Sequence, residues 1–223
     1  MSKEDINEII AVYEEEKHYF ERFMNGVVDI FKLEPKLNEY GNPIIYTIKS
    51  RLKDPDHLRD KITRKWNDED PLTPDNIFER ITDLAGVRVL HLYQDQFKFL
   101  HEHIQKQVAN GDWFLKENPV AYSWDPESTS YFQELGLNPE IKASYYTSIH
   151  YVIMPKANSN ICCEIQVRTL FEEIWGEIDH TINYPHPTEN ISCKEQLRVL
   201  SKLVSTGTRL ADSIFRTHNE SSK

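Results

Sequence analysis

Two segments of the chain, 145–153 and 161–168, alternate between apolar and polar side chains. Their polar positions hold Tyr146, Ser148, His150, Glu164, Gln166 and Arg168. Alternation with a period of two predicts β-strands whose polar side chains share one face. An aromatic ring, a hydroxyl, an imidazole, a carboxylate, an amide and a guanidinium on one face are the groups of a binding or catalytic site. An ordinary solvent-facing strand carries a scatter of Thr, Lys, Ser and Glu instead.

A basic segment lies earlier in the chain, where residues 49–65 hold seven basic and three acidic side chains. The segment covers the end of a predicted strand over 44–53 and the helix that follows it, which starts at Asp54-Pro55. Its seven basic side chains are Lys49, Arg51, Lys53, Arg59, Lys61, Arg64 and Lys65, and His57 lies among them. In a chain of formal net charge −10, such an island favours a compact anionic ligand such as nucleotide phosphates over a broad nucleic-acid footprint. The alternative is a solvated basic face.

Two carboxylates stand where they could serve a metal ion. Asp83 precedes Gly86 and the predicted strand 87–93, although a single aspartate there could equally cap a helix. Glu164 lies within an apolar strand, and a half-buried carboxylate needs a partner, for which Arg168 is the simplest candidate.

The pairs Glu177/His180 and Glu15/His18 each form a Glu-x-x-His step on a helix. Two such steps occur in di-iron carboxylate bundles. The several predicted strands argue against a four-helix bundle, so a surface or packing role for His180 is the simpler interpretation.

The elements that position these residues alternate between helices and strands. Helices are predicted over 4–34, from 55, over 95–109, from 170 to 182 and over 194–215, and strands over 44–53, 87–93, 113–124, 145–153 and 161–168. The segment 125–144, rich in Pro, Ser, Glu and Asn, is predicted to be a loop. This order predicts an α/β fold with a mixed β-sheet flanked by helices.

The composition of the 223-residue chain, 39% hydrophobic and 28% charged, is typical of a globular protein. No segment has the length and apolarity of a membrane span, and the N-terminal segment lacks the pattern of a signal peptide, so we expect a cytoplasmic protein without a membrane partner. The three cysteines fit neither a disulfide framework nor a zinc site. Cys163 falls on the apolar side of its strand and is expected to be buried.

Five motifs between residues 46 and 184 resemble the RelA/SpoT-type (p)ppGpp synthetase domain. They are Arg51-Leu52-Lys53 with Lys61 and Arg64, Asp83-Leu84-Ala85-Gly86-Val87-Arg88, Tyr146-Thr147-Ser148-Ile149-His150, Glu164-Ile165-Gln166-Val167-Arg168-Thr169, and Trp175-Gly176-Glu177-Ile178-Asp179-His180 with Asn183-Tyr184. The resemblance implies a nucleotidyltransferase-like synthetase fold over 44–184. An N-terminal helical extension over 1–43 and a C-terminal helical segment over 185–223 would flank this core.

What the resemblance implies chemically is transfer of the β,γ-diphosphate of ATP to the 3′-hydroxyl of GDP or GTP, with AMP released. Asp83 and Glu164 would be the catalytic pair and would bind Mg²⁺, and Glu164 would also help to deprotonate the hydroxyl. The donor nucleotide would contact Arg51, Lys53, His57, Lys61, Arg64 and Arg88. The acceptor would contact Tyr146, Ser148, His150, Gln166, Arg168, His180 and Asn183.

Departures from the family pattern cluster on the acceptor side. Thr147, Thr181 and Pro185 stand where the family usually has cationic residues, whereas on the donor side only His57 departs, from a usual serine. An acceptor with fewer phosphates, or one held by other cations, is therefore an open alternative.

Several alternatives remain at this point. Related toxic synthetases modify the 3′ end of tRNA or make adenine alarmones, and a nucleotide-binding sensor without turnover is a third reading. Retention of both Asp83 and Glu164 favours an enzyme. Because no His-Asp pair of a hydrolase domain precedes the first motif, we expect a stand-alone synthetase. Its terminal helices could mediate homo-oligomer formation.

Overall fold

The computed structural model describes residues 3–221, which form a mixed β-sheet with helices packed on it. The strands are β1 (Thr47–Leu52), β2 (Ala85–His91), β3 (Phe114–Leu115), β4 (Val120–Tyr122), β5 (Asn138–Glu140), β6 (Ser148–Met154) and β7 (Cys163–Thr169). The helices are α1 (Lys3–Leu33), α2 (Pro55–Lys65), α3 (Ile77–Arg80), α4 (Phe97–Ala109), α5 (Pro126–Glu134), α6 (Leu170–Asn183) and α7 (Ile191–Ser221). The α/β fold expected from the sequence is confirmed.

The order of the strands brings distant parts of the sequence side by side. It runs β1-β2-β7-β6-β4-β5, with β3 paired to β6. In the parallel pair of β2 and β7, Gly86 lies opposite Glu164 and Arg88 lies opposite Gln166. His150 of β6 lies opposite Gln166 on the other side of β7. Since directly opposed residues share a face, one face of the sheet collects the polar side chains of four strands.

Side-chain caps start the helices that border this face. The Asp54 carboxylate accepts hydrogen bonds from the backbone N–H groups of the first turn of α2, and Pro55 occupies a position that needs no donor. Thr169 and Glu172 form a reciprocal capping box at the start of α6. Helix α6 therefore begins directly after β7, and only two residues separate α2 from β1.

Helix α1 buries a full apolar stripe in the common core. Ile9, Tyr13, Phe20 and Phe31 are fully buried, as expected for a helix with one apolar face. The hydroxyl of Tyr13 donates to the carbonyl oxygen of Lys53 at 2.8 Å. This bond ties α1 to the residue that follows β1, within the basic segment.

The structure corrects three expectations and confirms a fourth. The predicted strand 145–153 begins only at Ser148, as β6, so Tyr146 lies in the segment before the strand. The segment 125–144, predicted to be a loop, contains α5 and β5. Asp125 and Pro126 start α5 with the same cap that starts α2, and this local signal outweighs the polar composition. The predicted strand 113–124 is divided into the short strands β3 and β4. The expected burial of Cys163 is confirmed.

Helix α7 packs on α6 and on the strand ends through Leu197, Ser201, Thr208 and Asp212, which are buried. A second apolar row of α7 is exposed, and it consists of Val199, Leu203, Leu210 and Ile214. Among the described residues, no helix combines the length and apolarity needed to cross a membrane.

The contribution of α1 to the core can be measured. Phe20→Ala removes a fully buried ring, and we expect it to lower the free energy of unfolding by about 3–5 kcal/mol. The neighbouring Tyr19, which is 47% exposed, provides the control, and Tyr19→Ala should change stability by about 0.5 kcal/mol or less. Urea denaturation of both variants gives the comparison. Equal losses would contradict the packing of α1 described here.

Candidate active site

A cleft of about 200 Å³ opens on the polar face of the sheet, above β1, β2 and β7. It is lined by Lys49, Ser50, Arg51, Asp83, Gly86, Val87, Arg88, Glu164 and Gln166. Gly86 lies between Arg51 and Glu164. A Cβ atom added to Gly86 would have the backbone oxygens of Glu164 and Arg51 as its nearest neighbours, at 3.9 and 4.0 Å. The absence of a side chain at Gly86 leaves the floor of the cleft open.

Asp83 lines the cleft and lies between two lysines. The Lys53 ammonium lies 2.9 Å from one carboxylate oxygen, and the Lys61 ammonium lies 2.6 Å from the other. Burial opposes ionisation of Asp83, but these two cations outweigh it and lower the pKa of the carboxyl to about 2. Burial also lowers the pKa of Lys53, although Asp83 acts against this shift. Asp83 is thus ionised and holds both lysines at the cleft.

Glu173 of α6 fixes a second group of cations. Its carboxylate lies 2.8 Å from Lys49, 3.1 Å from Arg88 and 3.3 Å from Arg168. Arg88 is also bound by Glu177, one helical turn further along α6. The Arg168 guanidinium can approach because α6 has Gly176 here, where a Cβ atom would lie 2.6 Å from the arginine nitrogen.

A chain of hydrogen bonds leads from Glu164 to Tyr146. The carboxylate of Glu164 can only accept, so Nδ1 of His150, 3.1 Å away, donates to it. Nε2 of His150 is then the acceptor for the Tyr146 hydroxyl at 2.9 Å. Gln166 donates to the other oxygen of Glu164 at 2.6 Å and accepts from Arg168. Burial opposes ionisation of Glu164, but these bonds lower its pKa, so the side chain is an anion.

Aromatic rings and cations surround the far side of Glu164. The Tyr146 ring lies near Tyr122 and beneath the Arg168 guanidinium. The Lys142 ammonium lies 3.6 Å from the centre of the Tyr122 ring and 4.9 Å from that of Tyr146. Ser148 is buried at the start of β6 opposite Tyr122. Rings of this kind offer stacking surfaces for a planar base.

A third cluster forms where α2 meets the end of α6. The His57 ring packs edge-on against Tyr184, His180 stacks on Tyr184, and the Arg64 guanidinium lies over the same ring. His180, expected on the acceptor side, thus lies with the expected donor residues His57 and Arg64. Asn183 donates to Asp179 and accepts from the backbone of Thr188, so it shapes the turn after α6.

Several side chains of the site were given no binding or catalytic role from the sequence, although Glu177 and Tyr184 lie within the family motifs. Lys142, Glu173, Glu177, Tyr122 and Tyr184 all contact a predicted site residue. For Glu173 and Glu177 a signal was present, because their helical spacing to His180 places them on one face of α6. Lys142 lies in the segment 125–144, whose structure was predicted wrongly.

The carboxylates Asp83 and Glu164 line the same cleft and fit a magnesium ion shared with a ligand. Mg²⁺ is usually bound by one or two carboxylates together with substrate phosphates. The part of the chain that the structure describes contains no group of three or more His, Cys, Asp or Glu side chains that could hold a metal. Among the described residues, the two Glu-x-x-His steps therefore do not form a di-iron site, and no other metal site is built from protein ligands alone.

The polar face of the mixed sheet brings together two carboxylates, several cations and aromatic rings. This combination is typical of α/β proteins whose cleft binds a nucleotide. Residues 50–189 match the family model described as the region found in RelA / SpoT proteins. Because this match covers more than half of the chain, the protein belongs to the RelA/SpoT family, as the sequence motifs indicated.

Individual relatives agree with this assignment. The GTP pyrophosphokinase YjbM of Bacillus subtilis is 24% identical over 147 residues, a match that covers 64% of this chain and 60% of that protein. The chain therefore spans less than two thirds of this curated relative. The crystal structure of small alarmone synthetase 1 from Bacillus subtilis has a TM-score of 0.68 at 21% identity and covers 93% of this chain and 96% of its own. The same enzyme bound to its product pppGpp has a TM-score of 0.65 at 22% identity, covering 93% and 94%.

The ion pairs of Asp83 predict its titration. Lys61→Met removes one of the two cations that hold the pKa at about 2, so we expect the Asp83 carboxyl to titrate roughly one unit higher. Because the folded-state pKa is depressed, the stability due to ionised Asp83 is present above its ordinary pKa of about 3.9 and is lost as the pH falls towards 2. Carboxyl ¹³C NMR measures the midpoint. Lys65→Met is the control, and an equal shift in that variant would show that general surface charge sets the pKa.

Proposed function

We propose that this protein is an ATP-dependent pyrophosphokinase that makes (p)ppGpp. It transfers the β,γ-diphosphate of ATP to the 3′-hydroxyl of GDP or GTP and releases AMP. The observation that carries the proposal is one cleft lined by both Asp83, which is ion-paired with Lys53 and Lys61, and Glu164, which His150 links to Tyr146. The GTP pyrophosphokinase YjbM and the pppGpp-bound structure of small alarmone synthetase 1, both from Bacillus subtilis, support it.

The donor would bind along β1 and α2. Its phosphates carry more negative charge than the Asp83 carboxylate, so they compete for Lys53 and Lys61, which are ion-paired with this residue of the cleft. The guanidinium groups of Arg51 and Arg88 flank the open floor at Gly86 and offer planar surfaces to the adenine. His57 and Arg64 complete this side next to Tyr184.

The acceptor would bind beside β6 and β7. Its guanine base would stack on Tyr146, with Gln166 and Ser148 close to the base. Glu164 would take the proton of the 3′-hydroxyl as the oxygen attacks the β-phosphorus and the bond to the α-phosphate oxygen breaks. His150 holds the Glu164 carboxylate in place for this role.

We also propose Mg²⁺ as the cofactor, held by Asp83 and Glu164 together with the donor phosphates. When bound, it would neutralise the charge that develops on the transferred group. Once phosphates attract Lys53 and Lys61, the oxygens of Asp83 are free to act as ligands.

The acceptor side carries few cations for a family member, because Thr147 and Thr181 replace usual basic residues. Lys142 and Arg168 supply positive charge next to Tyr146 and favour a nucleotide acceptor. Transfer to the 3′ end of tRNA or to an adenine nucleotide remains the second candidate. Cytoplasmic location and homo-oligomer formation stay predictions.

The proposed reaction is tested by following γ-labelled ATP in the presence of Mg²⁺. We expect AMP as the by-product and label on GDP or GTP when these are offered in parallel with AMP, ATP alone and deacylated tRNA. Glu164→Gln should lower the rate by about three to five orders of magnitude, because it removes both a metal ligand and the proton acceptor. Glu102→Gln, the same change at an exposed position of α4, should leave the rate unchanged.

The products separate the alternatives. Label on tRNA, with strong salt dependence, would keep the pyrophosphokinase chemistry but exclude alarmone synthesis. Release of ADP would exclude both. Full activity of Glu164→Gln would remove the proposed role of the cleft.

The open floor at Gly86 predicts a graded effect on ATP binding. Gly86→Ala adds a methyl group that meets only atoms at normal contact distance, so ATP affinity should change by about threefold or less. Gly86→Leu fills the cleft between Arg51 and Glu164 and should weaken ATP binding by about 100-fold or more. Isothermal titration calorimetry with a non-hydrolysable ATP analogue measures both. Similar affinities in the two variants would place the donor elsewhere.

A further inference from the structure

Tyr145 adopts a backbone conformation that an aromatic residue rarely takes. Its φ angle is +62°, which lies in the left-handed region that favours glycine. The residue is half-buried and directly precedes Tyr146. A disfavoured conformation persists only where surrounding contacts hold it, and such residues cluster at functional sites.

The contacts that hold Tyr145 come from α7 and from Trp124. The hydroxyl of Ser201 donates to the carbonyl oxygen of Tyr145 at 2.9 Å. The indole N–H of Trp124 donates in turn to the Ser201 oxygen at 2.8 Å. The Tyr145 ring packs on Trp124 with 5.2 Å between centroids, and the Arg198 guanidinium lies 5.7 Å from its centre. One turn of α7 therefore contacts both the backbone of Tyr145, through Ser201, and its ring, through Arg198.

The same turn of α7 supports Tyr146 by a second route. The indole N–H of the buried Trp175 donates to the carbonyl oxygen of Leu197 at 2.9 Å. The Trp175 ring lies 6.2 Å from the Tyr146 ring. Residues 197–201 of α7 thus fix both tyrosines, and Tyr146 leads through His150 to Glu164.

We propose that Tyr145 is a positioning residue through which α7 sets the geometry of the acceptor side. The left-handed turn directs the chain so that Tyr146 meets His150, and the Ser201 and Trp124 contacts keep the turn in place. The proposal rests on the proposed function for its kinetic consequence. Loss of these contacts raises the KM for the acceptor. It leaves the KM for ATP unchanged, because the proposed donor residues Lys53, Lys61 and Arg51 do not contact α7 or Tyr145.

A matched pair of serines on α7 tests the proposal. Ser201→Ala removes the bond to Tyr145, whereas Ser205→Ala removes a bond from the same helix to Asp125. We expect Ser201→Ala to raise the KM for the acceptor by about three- to tenfold, the effect of one hydrogen bond, with the KM for ATP within about twofold. Ser205→Ala should leave both values within about twofold. Equal changes in the two variants would overturn the proposal.

Tyr145→Gly separates positioning from simple strain. Glycine adopts the same φ angle without steric cost. If the conformation of Tyr145 only strains the backbone, Tyr145→Gly should be more stable than wild type and have the same KM values. This result would overturn the proposal. We expect the acceptor KM to rise because the packing on Trp124 and Arg198 is lost.

Hydrogen exchange of residues 144–150 in the full, ligand-free chain provides a readout that does not need turnover. Exchange should be faster in Ser201→Ala and Tyr145→Gly than in Ser205→Ala. If wild type transfers label to no acceptor, the proposed function fails, and the exchange pattern still decides whether α7 holds this turn. Identical exchange in the three variants would refute the link between α7 and Tyr145.

Discussion

The parallel pairing of β2 with β7 is the contact on which the site depends. It places Gly86 beside Glu164 and Arg88 beside Gln166, although these residues are far apart in the chain. Without it, the basic segment of β1 and α2 and the polar faces of β6 and β7 would be two separate surfaces. A parallel pair needs a long crossover connection, and here the chain between β2 and β7 contributes α4, α5 and four further strands.

Charge balance explains why so many ionisable groups can lie together on one face. Each carboxylate of the site is matched to cations or donors from other elements, as Asp83 is to Lys53 and Lys61 and Glu173 is to Lys49, Arg88 and Arg168. A partly buried charge is tolerated only with such partners. The same pairs orient the arginines and lysines towards the cleft before any ligand arrives, which reduces the conformational entropy lost on binding.

Sequence reasoning succeeded where the signal was local and periodic. The alternation over 161–168 corresponds to β7, and the Asp54-Pro55 cap marks the start of α2. It failed for 125–144, because polar composition was weighed above the Asp125-Pro126 cap that starts α5. The left-handed turn at Tyr145 could not be predicted, since Trp124 and Ser201, which hold it, come from distant segments. The roles of Glu173 and Lys142 likewise depend on tertiary contacts. The roles assigned to the individual site residues, and the boundaries of the core, stay predictions.

The internal neutralisation of Lys53 and Lys61 by Asp83 has a consequence for discrimination among anions. In the free protein, an incoming anion meets lysines that already have a carboxylate at hydrogen-bonding distance. A chloride ion or another singly charged anion attracts the two lysines no more strongly than Asp83 does, so its binding would be weak. A chain of phosphates carries several charges and can satisfy both lysines at once. By this reasoning the ion pair would favour polyanions over the small, singly charged anions of a salt solution.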